Sequence, residues 1–224
     1  MTGPGLPSPF STLLWTGGSE RWKTIMGEEV IFRSLLGLIL VSAISISGYY
    51  RRRARLATGV IPRGKEPPRL IALRLVFGVP LLLSLLAFLI RPAWVDWARF
   101  PSPVMARWSG VVIGIIAIPL VVWVMTSIGS NVSETVLTKP QHALITHGPY
   151  ECVRHPLYGT GLLLLVSATL IASSWLIGAL TIIAAIAIRY VVIPAEEAAL
   201  IKRFGDDYIQ YMDRSERLLP RLRG

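Results

Sequence analysis

Five apolar windows, roughly 30–50, 71–90, 109–128, 157–173 and 175–194, constrain this chain more than any other feature. Each approaches the ~20 residues that a helix needs to cross about 30 Å of hydrocarbon. Of the 224 residues 53% are hydrophobic and 16% charged, proportions that point away from a soluble core and towards a polytopic, all-α membrane protein. Neither the alternation of a membrane β-barrel nor a repeat of 20 to 50 residues is visible. Only Ser173 and Ser174 separate the last two windows. Residues 157–194 as one straight helix would run about 57 Å, too long for one crossing, so the two windows are expected to form an antiparallel helical hairpin.

The expected architecture is therefore about five transmembrane helices, the last two paired as a hairpin, followed by a cytosolic amphipathic helix. Three regions follow: an extracytoplasmic segment 1–29, the first three helices over 30–128 with a basic cytosolic loop at 51–69, and a region 129–224 holding a second loop, the hairpin and the carboxyl-terminal helix. The opening stretch lacks a basic run, an apolar run and a cleavage site in succession, and so reads as a lead-in rather than a signal peptide.

Orientation comes from lysine and arginine in short loops, which are retained on the cytoplasmic side. Seven fall in 51–69 and six beyond residue 194, with Lys139 and Arg154 on the same side. Opposite them stand Arg21, Lys23, Arg91, Arg99 and Arg107. The amino terminus is expected outside and the carboxyl terminus in the cytoplasm. The net charge of +10 then reads as a basic rim facing anionic lipid, not as a nucleic-acid surface. Trp94, Trp97 and Trp108 flank the outer ends of the second and third windows as interfacial anchors. Arg33 and Arg74, near span ends, are expected to snorkel, and Pro80 and Pro119 to kink their helices.

Polar chemistry concentrates in two blocks on the cytoplasmic side, 131–161 and 189–217, which the hairpin brings together. In the first, Gly148-Pro149 makes a turn, and Pro156 holds His155 extended and starts a helix. His155 then stands before a helix amino terminus, a place that suits an anionic group; a solvated cap is the other reading. His142, His147 and His155 match no metal-site spacing, and single Cys152 has no partner for a disulfide or zinc. No metal is expected.

In the second block Glu196 follows Arg189 by seven residues, two turns along one helix face unless Pro194 swings the helix aside. A charge within a bundle is a functional candidate by default, and snorkelling is the alternative for Arg189. Leu200, Phe204, Tyr208 and Met212 recur every four residues among charges, giving an amphipathic helix that lies on the membrane or folds back over the 131–156 loop.

The runs GPYECVRHPLYGTG, 148–161, and EEAALIKRFGDDYIQY, 196–211, together resemble the isoprenylcysteine carboxyl methyltransferase family, in particular its short prokaryotic members, over about residues 131–220. The resemblance implies an integral enzyme of a prokaryotic cell membrane that uses S-adenosylmethionine, with the cofactor at the cytosolic end of the last helices. That fits the absence of a GxGxxG after any strand. It implies cofactor contacts at His142, Ala143, Leu144, Ile145, Tyr150, His155, Pro156, Tyr158 and Glu196. Family members that methylate prenylcysteine carboxylates carry an arginine one turn before the glutamate pair; here that position is Val192, with Arg189 one turn deeper. The catalytic set implied is Arg189, Glu196 and Glu197.

A carboxylate or thiolate acceptor needs no general base, whereas an amine or phenol would need one, with Glu196, Glu197 or His155 as candidates. The expected acceptor is a lipophilic small molecule or a lipidated group arriving from membrane lipid. A membrane reductase using NADPH and a non-catalytic protein that kept the fold are the rival readings. Nothing in the sequence speaks to oligomeric state.

Overall fold

The structure, a computed structural model, describes residues 9–58, 67–131 and 143–220, and is helical throughout apart from short connections. Helix α1 runs Pro9–Thr58. Helix α2, Pro68–Leu73, passes through a π-turn, Arg74–Gly78, into α3, Val79–Ile90. Helix α4 is Val104–Ile128, and the one-turn α5, Pro149–Cys152, precedes α6, Pro156–Ala172. Helix α7, Trp175–Ala187, continues through a second π-turn, Ile188–Val192, into α8, Ile193–Phe204, and α9 is Asp206–Arg214.

Among the described residues, four segments are long and apolar enough to span a bilayer: Gly27–Ala57, Pro68–Ile90, Val104–Ile128 and Trp175–Phe204. The remaining apolar helix, α6, has 17 residues, about 25 Å of rise. All five windows are thus helical, the fourth being the short one. Ser173 adopts the left-handed conformation with φ 48° and ends α6. Ser174 caps α7, its Oγ accepting from the backbone N–H of Ile177 at 3.4 Å. That pair is the hairpin joint, and both serines are buried, the Ser173 carbonyl accepting from the Phe100 N–H at 2.9 Å.

Each π-turn ends two residues before an intramembrane proline, Pro80 or Pro194. Proline removes a backbone donor and its ring collides with the carbonyl of the preceding turn; the wider π-turn opens that space, so both helices run on through the proline. The last helix consequently continues past residue 194, where its apolar window closes, and carries Glu196 and Glu197 within an uninterrupted rod.

The main core joins α1, α3, α4, α6 and α7 through Phe32, Leu36, Phe88, Val111, Ile171 and Ile177. At the end where the spanning part of α1 begins, Glu29 pairs with Arg99 at 2.9 Å and Arg107 at 3.1 Å, and Arg107 lies 4.0 Å over the Phe32 ring. Arg33 reaches the end of the α3 span, where its Nη2 donates to the Leu89 and Ile90 carbonyls that the helix leaves open. Trp94 and Trp97, 59% and 64% exposed, border this end, as anchors do.

Gly110 and Gly114 let α4 approach α6 closely. A Cβ on Gly114 would stand 2.6 Å from Ser167 Oγ and 2.7 Å from Ile39 Cδ1, and one on Gly110 would stand 2.8 Å from Leu170 Cβ. Ser167 Oγ also donates to the Gly110 carbonyl at 2.7 Å. This is the small-residue packing that membrane helices use when lipid removes the hydrophobic drive between them. Gly114→Leu is expected to cost on the order of 1–3 kcal/mol by overpacking, read as a lowered melting temperature in detergent; an unchanged melting temperature would contradict this packing.

Candidate functional site

The opposite end of the bundle, where α1, α4 and α8 finish and α6 begins, gathers the polar residues. Helix α4 stops at Gly129, with φ 56°. Just beyond it, buried Asn131 grips the backbone of Ala143 from both sides, Nδ2 donating to its carbonyl at 2.8 Å and Oδ1 accepting from its N–H at 3.3 Å. This clamp fixes the segment Ala143-Leu144-Ile145 against the helix end. Asn131 was absent from the sequence-based site, because an amide that acts on backbone twelve residues away leaves no motif.

Gly148 turns the chain with φ 63°, and a Cβ there would meet Ser127 Oγ at 2.8 Å. Only glycine satisfies both the angle and the approach to α4. The turn delivers Tyr150 and then an extended stretch along which the carboxyl-terminal strap is laid. Glu216 N–H donates to the Cys152 carbonyl at 3.0 Å, Arg154 N–H to Glu216 at 2.7 Å and His155 N–H to Arg217 at 3.0 Å. The amphipathic helix α9 therefore folds back over the loop, with Tyr208 and Tyr211 buried and the Tyr211 hydroxyl donating to the Tyr150 carbonyl. The strap also covers the amino terminus of α6: the Leu218 carbonyl oxygen lies 3.4 Å from where a Cβ of Gly159 would be.

The two glutamates have separate surroundings. Glu197, 4% exposed, is held by Arg154 Nε at 3.1 Å and Arg217 Nη2 at 2.9 Å. Arg154 further donates through Nη1 to the carbonyls of Met212, at 2.8 Å, and Ser215. Glu197 is thus the anchor of a buried clamp joining α8, the 153–155 stretch and the strap. Its neighbour Glu196 points elsewhere, with Oε2 3.7 Å from His155 Nδ1 and the carboxyl within hydrogen-bonding reach of the Tyr158 hydroxyl. His155 Nε2 lies 3.6 Å from Glu197 Oε1, beyond a direct hydrogen bond.

Glu196 faces a small cavity of about 60 Å³ lined by Asn131, the 143–145 segment, Tyr150, Arg154, His155, Leu200, Phe204, Tyr208 and Tyr211. Among the described residues seven buried side-chain polar atoms have no hydrogen-bond partner. Four of them belong to this lining: Tyr150 OH, His155 Nε2, Glu196 Oε2 and Tyr208 OH. Buried polar groups are ordinarily paired, since an orphan costs about 1–3 kcal/mol. Four around one void mark a place shaped for a polar ligand. Burial, reinforced by the Glu196 charge, pushes the Tyr150 phenol well above its ordinary range, and burial with the Glu197 charge does the same for Tyr208. Tyr211 is pushed up to about 12, chiefly by burial. All three phenols stay protonated, and those of Tyr150 and Tyr208 remain hydrogen-bond donors towards the cavity.

Of the nine positions expected at the cofactor, Ala143, Leu144, Ile145, Tyr150, His155 and Glu196 line this cavity. His142 lies outside the described residues. Pro156 is buried behind it, and Tyr158 lines a second, larger cavity. Arg189 lines neither cavity. The π-turn adds one residue between it and Glu196, which rotates it by about 100° off the shared face expected of a plain α-helix. Its guanidinium lies 5.3 Å from the ring of Tyr190, a side chain 69% exposed. Val192 is buried in an apolar cluster with Leu70. Arg154, counted in the sequence only among the basic residues of the cytoplasmic side, is the centre of the clamp.

Residues 110–202 match the family model described as the isoprenylcysteine carboxyl methyltransferase (ICMT) family. No curated protein matches the chain. Among solved structures, one described as the eukaryotic intramembrane Ras methyltransferase ICMT without a monobody is similar at 20% identity and a TM-score of 0.48, over 83% of this chain and 73% of that one. The matched segment contains the Gly148 turn, His155, the hairpin and both glutamates, and over those residues the chain is similar to the isoprenylcysteine carboxyl methyltransferase family.

Proposed function

We propose that this protein transfers a methyl group from S-adenosylmethionine to a lipophilic acceptor at the cytosolic face of a prokaryotic membrane. The observation that carries the reading is the ring of four unpartnered buried atoms, on Tyr150, His155, Glu196 and Tyr208, around one void beside the 143–145 segment. Their chemistry fits the amino-acid end of that cofactor. The Glu196 carboxylate accepts from an ammonium and faces positive charge favourably, while the imidazole and two phenols serve a carboxylate or a ribose hydroxyl. Aromatic faces of Tyr150 and Tyr208 suit an onium group.

When bound, the cofactor supplies an already activated methyl on a cationic sulfur. The chain's own work is to position and to exclude water. Asn131 holds one wall through Ala143, and the Arg154–Glu197–Arg217 clamp holds the opposite wall by tying the strap to α8. With Glu197 committed to the clamp, Glu196 is the carboxylate of the pair that serves the cavity, beside His155.

Purified full-length protein in detergent is expected to bind labelled S-adenosylmethionine saturably and to put methyl label into a lipid extract of membranes. Base-labile label identifies an ester and hence a carboxylate acceptor; base-stable label identifies an ether, thioether or amine. Saturable NADPH binding without S-adenosylmethionine binding would replace this reading by that of a reductase.

A further inference from the structure

The cavity beside Glu196 measures about 60 Å³, whereas sites for cofactor-sized ligands enclose about 300–1,000 Å³. A nucleoside joined to an amino acid therefore needs one wall to move. The walls differ in how they are held. Glu196, Leu200 and Phe204 belong to α8, which runs on from the spanning α7 through the π-turn. His155 stands at the start of α6, and Asn131 ties the 143–145 segment to the end of α4. Tyr208 and Tyr211 sit on α9, which joins α8 through Gly205.

Gly205 has φ 56° and ψ −129°, and a Cβ there would meet no atom within 4 Å. Glycine adopts that conformation readily and other residues are strained in it. The open surroundings leave room for α9 to swing about the joint. Tyr208 and Tyr211 are the buried residues of α9, and among the described residues the apolar clusters that join the spanning helices include neither. The far end of α9 is fastened by polar contacts. The Tyr211 hydroxyl donates to the Tyr150 carbonyl, Arg154 donates to the Met212 and Ser215 carbonyls, and the Glu216 and Arg217 backbone pairs with that of Cys152, Arg154 and His155. A segment with few buried apolar contacts opens as a unit before the bundle does.

We infer that α9 and the strap form a lid, hinged at Gly205 and latched on the 152–155 stretch, which opens to admit S-adenosylmethionine from the aqueous side and closes over it. The inference deepens the methyltransferase reading and rests on it for the identity of the ligand; the opening rests on the fold alone. With the lid closed, the Tyr208 hydroxyl is buried without a hydrogen-bond partner. A polar ligand in the cavity gives that hydroxyl a partner, so it binds the closed lid better than the open one and draws the lid shut. Release of the spent cofactor then waits on the same opening.

A staple across the latch tests this in full-length protein in detergent. Val153 and Glu216 are bridge partners, and adjacent strands lie about 4.8 Å apart, within the span of a disulfide. The variant carries Val153→Cys and Glu216→Cys in a Cys152→Ser background, and its reduced form is the control for folding. Oxidation before the cofactor is added is expected to slow uptake of labelled S-adenosylmethionine about tenfold or more. Oxidation afterwards should trap the label, and reductant should reverse both effects. Equal uptake and release in the oxidised and reduced forms overturns the lid. Hydrogen exchange on the parent chain is the second measurement. Peptides covering 149–156 and 206–218 should exchange together, faster than those of α4 and α6, and should slow when S-adenosylmethionine is added. Gly205→Ala, strained in the closed lid, should speed that exchange about tenfold. Exchange of those peptides at the pace of the spanning helices, or no change in Gly205→Ala, likewise overturns the lid. Peptides that open together in a parent chain that binds no S-adenosylmethionine overturn the methyltransferase reading and leave the lid standing.

Discussion

Glu196→Gln is expected to weaken S-adenosylmethionine binding by roughly 30- to 100-fold while leaving the protein folded in the membrane. The substitution keeps the size of the side chain and removes its charge. Glu196 Oε2 is buried without a hydrogen-bond partner among the described residues and lies 3.7 Å from His155 Nδ1. A charge-assisted bond to a ligand ammonium in such a place is worth about 2–3 kcal/mol, and every 1.4 kcal/mol is a factor of ten. Calorimetric titration of parent and variant, with membrane yield as the control, measures it. His155→Ala should lose affinity in the same direction, because Nε2 is the second orphan of the ring. If both variants bind the cofactor like the parent, the site lies elsewhere.

Much of this arrangement was legible in the sequence, and the parts that were not share a physical cause. Two serines between apolar windows indicated the hairpin, because 157–194 is too long for one straight crossing. The four-residue spacing of Leu200, Phe204, Tyr208 and Met212 indicated one amphipathic helix; the structure breaks it at Gly205, with φ 56°, into α8 and α9, and Tyr208 of α9 comes to line the cavity. The neighbourhood of His155 and Glu196 followed from the two blocks sharing one end. The division of labour between Glu196 and Glu197 did not, since adjacent helical residues differ by about 100° and a π-turn upstream resets the phase. The same turn removed Arg189 from the face of Glu196. The roles of Asn131 and Arg154 were not legible for a different reason. Each acts on an element distant in the chain, and only packing assigns a lone polar residue its partner. In the case of Arg154 the adjacent histidine drew attention, whereas the carboxylate that explains the arginine is 43 residues away.

Breaking the clamp is the experiment that distinguishes an architectural acid from a ligand-binding one. Arg154→Ala leaves Glu197 buried, its side chain only 5% exposed, with Arg217, itself 33% exposed, as the remaining arginine partner. Stranding one member of a buried pair costs about 3–5 kcal/mol, and for a chain of this length each kcal/mol lowers the melting temperature by about 2–4 °C. A drop on the order of 10 °C in detergent is expected, with Arg154→Lys nearly as damaging, because an ammonium cannot reach Glu197, Met212 and Ser215 together as the guanidinium fork does. Arg217→Ala should cost under about 1 kcal/mol, as its half of the bridge is in contact with solvent. The strap gives a second readout. It is held to the 152–155 backbone by three N–H donors and by Arg154 itself, so loss of the arginine should speed tryptic cleavage after Arg214 and Arg217 well before the bundle unfolds. Replacing Arg154 and Glu197 together by Met and Leu removes both charges, and the double variant is expected to recover much of the lost melting temperature. Such recovery with S-adenosylmethionine binding retained would show that Glu197 shapes the site without touching the ligand; recovery with binding abolished would place one of the two charges, Arg154 of the cavity lining or Glu197, at the cofactor.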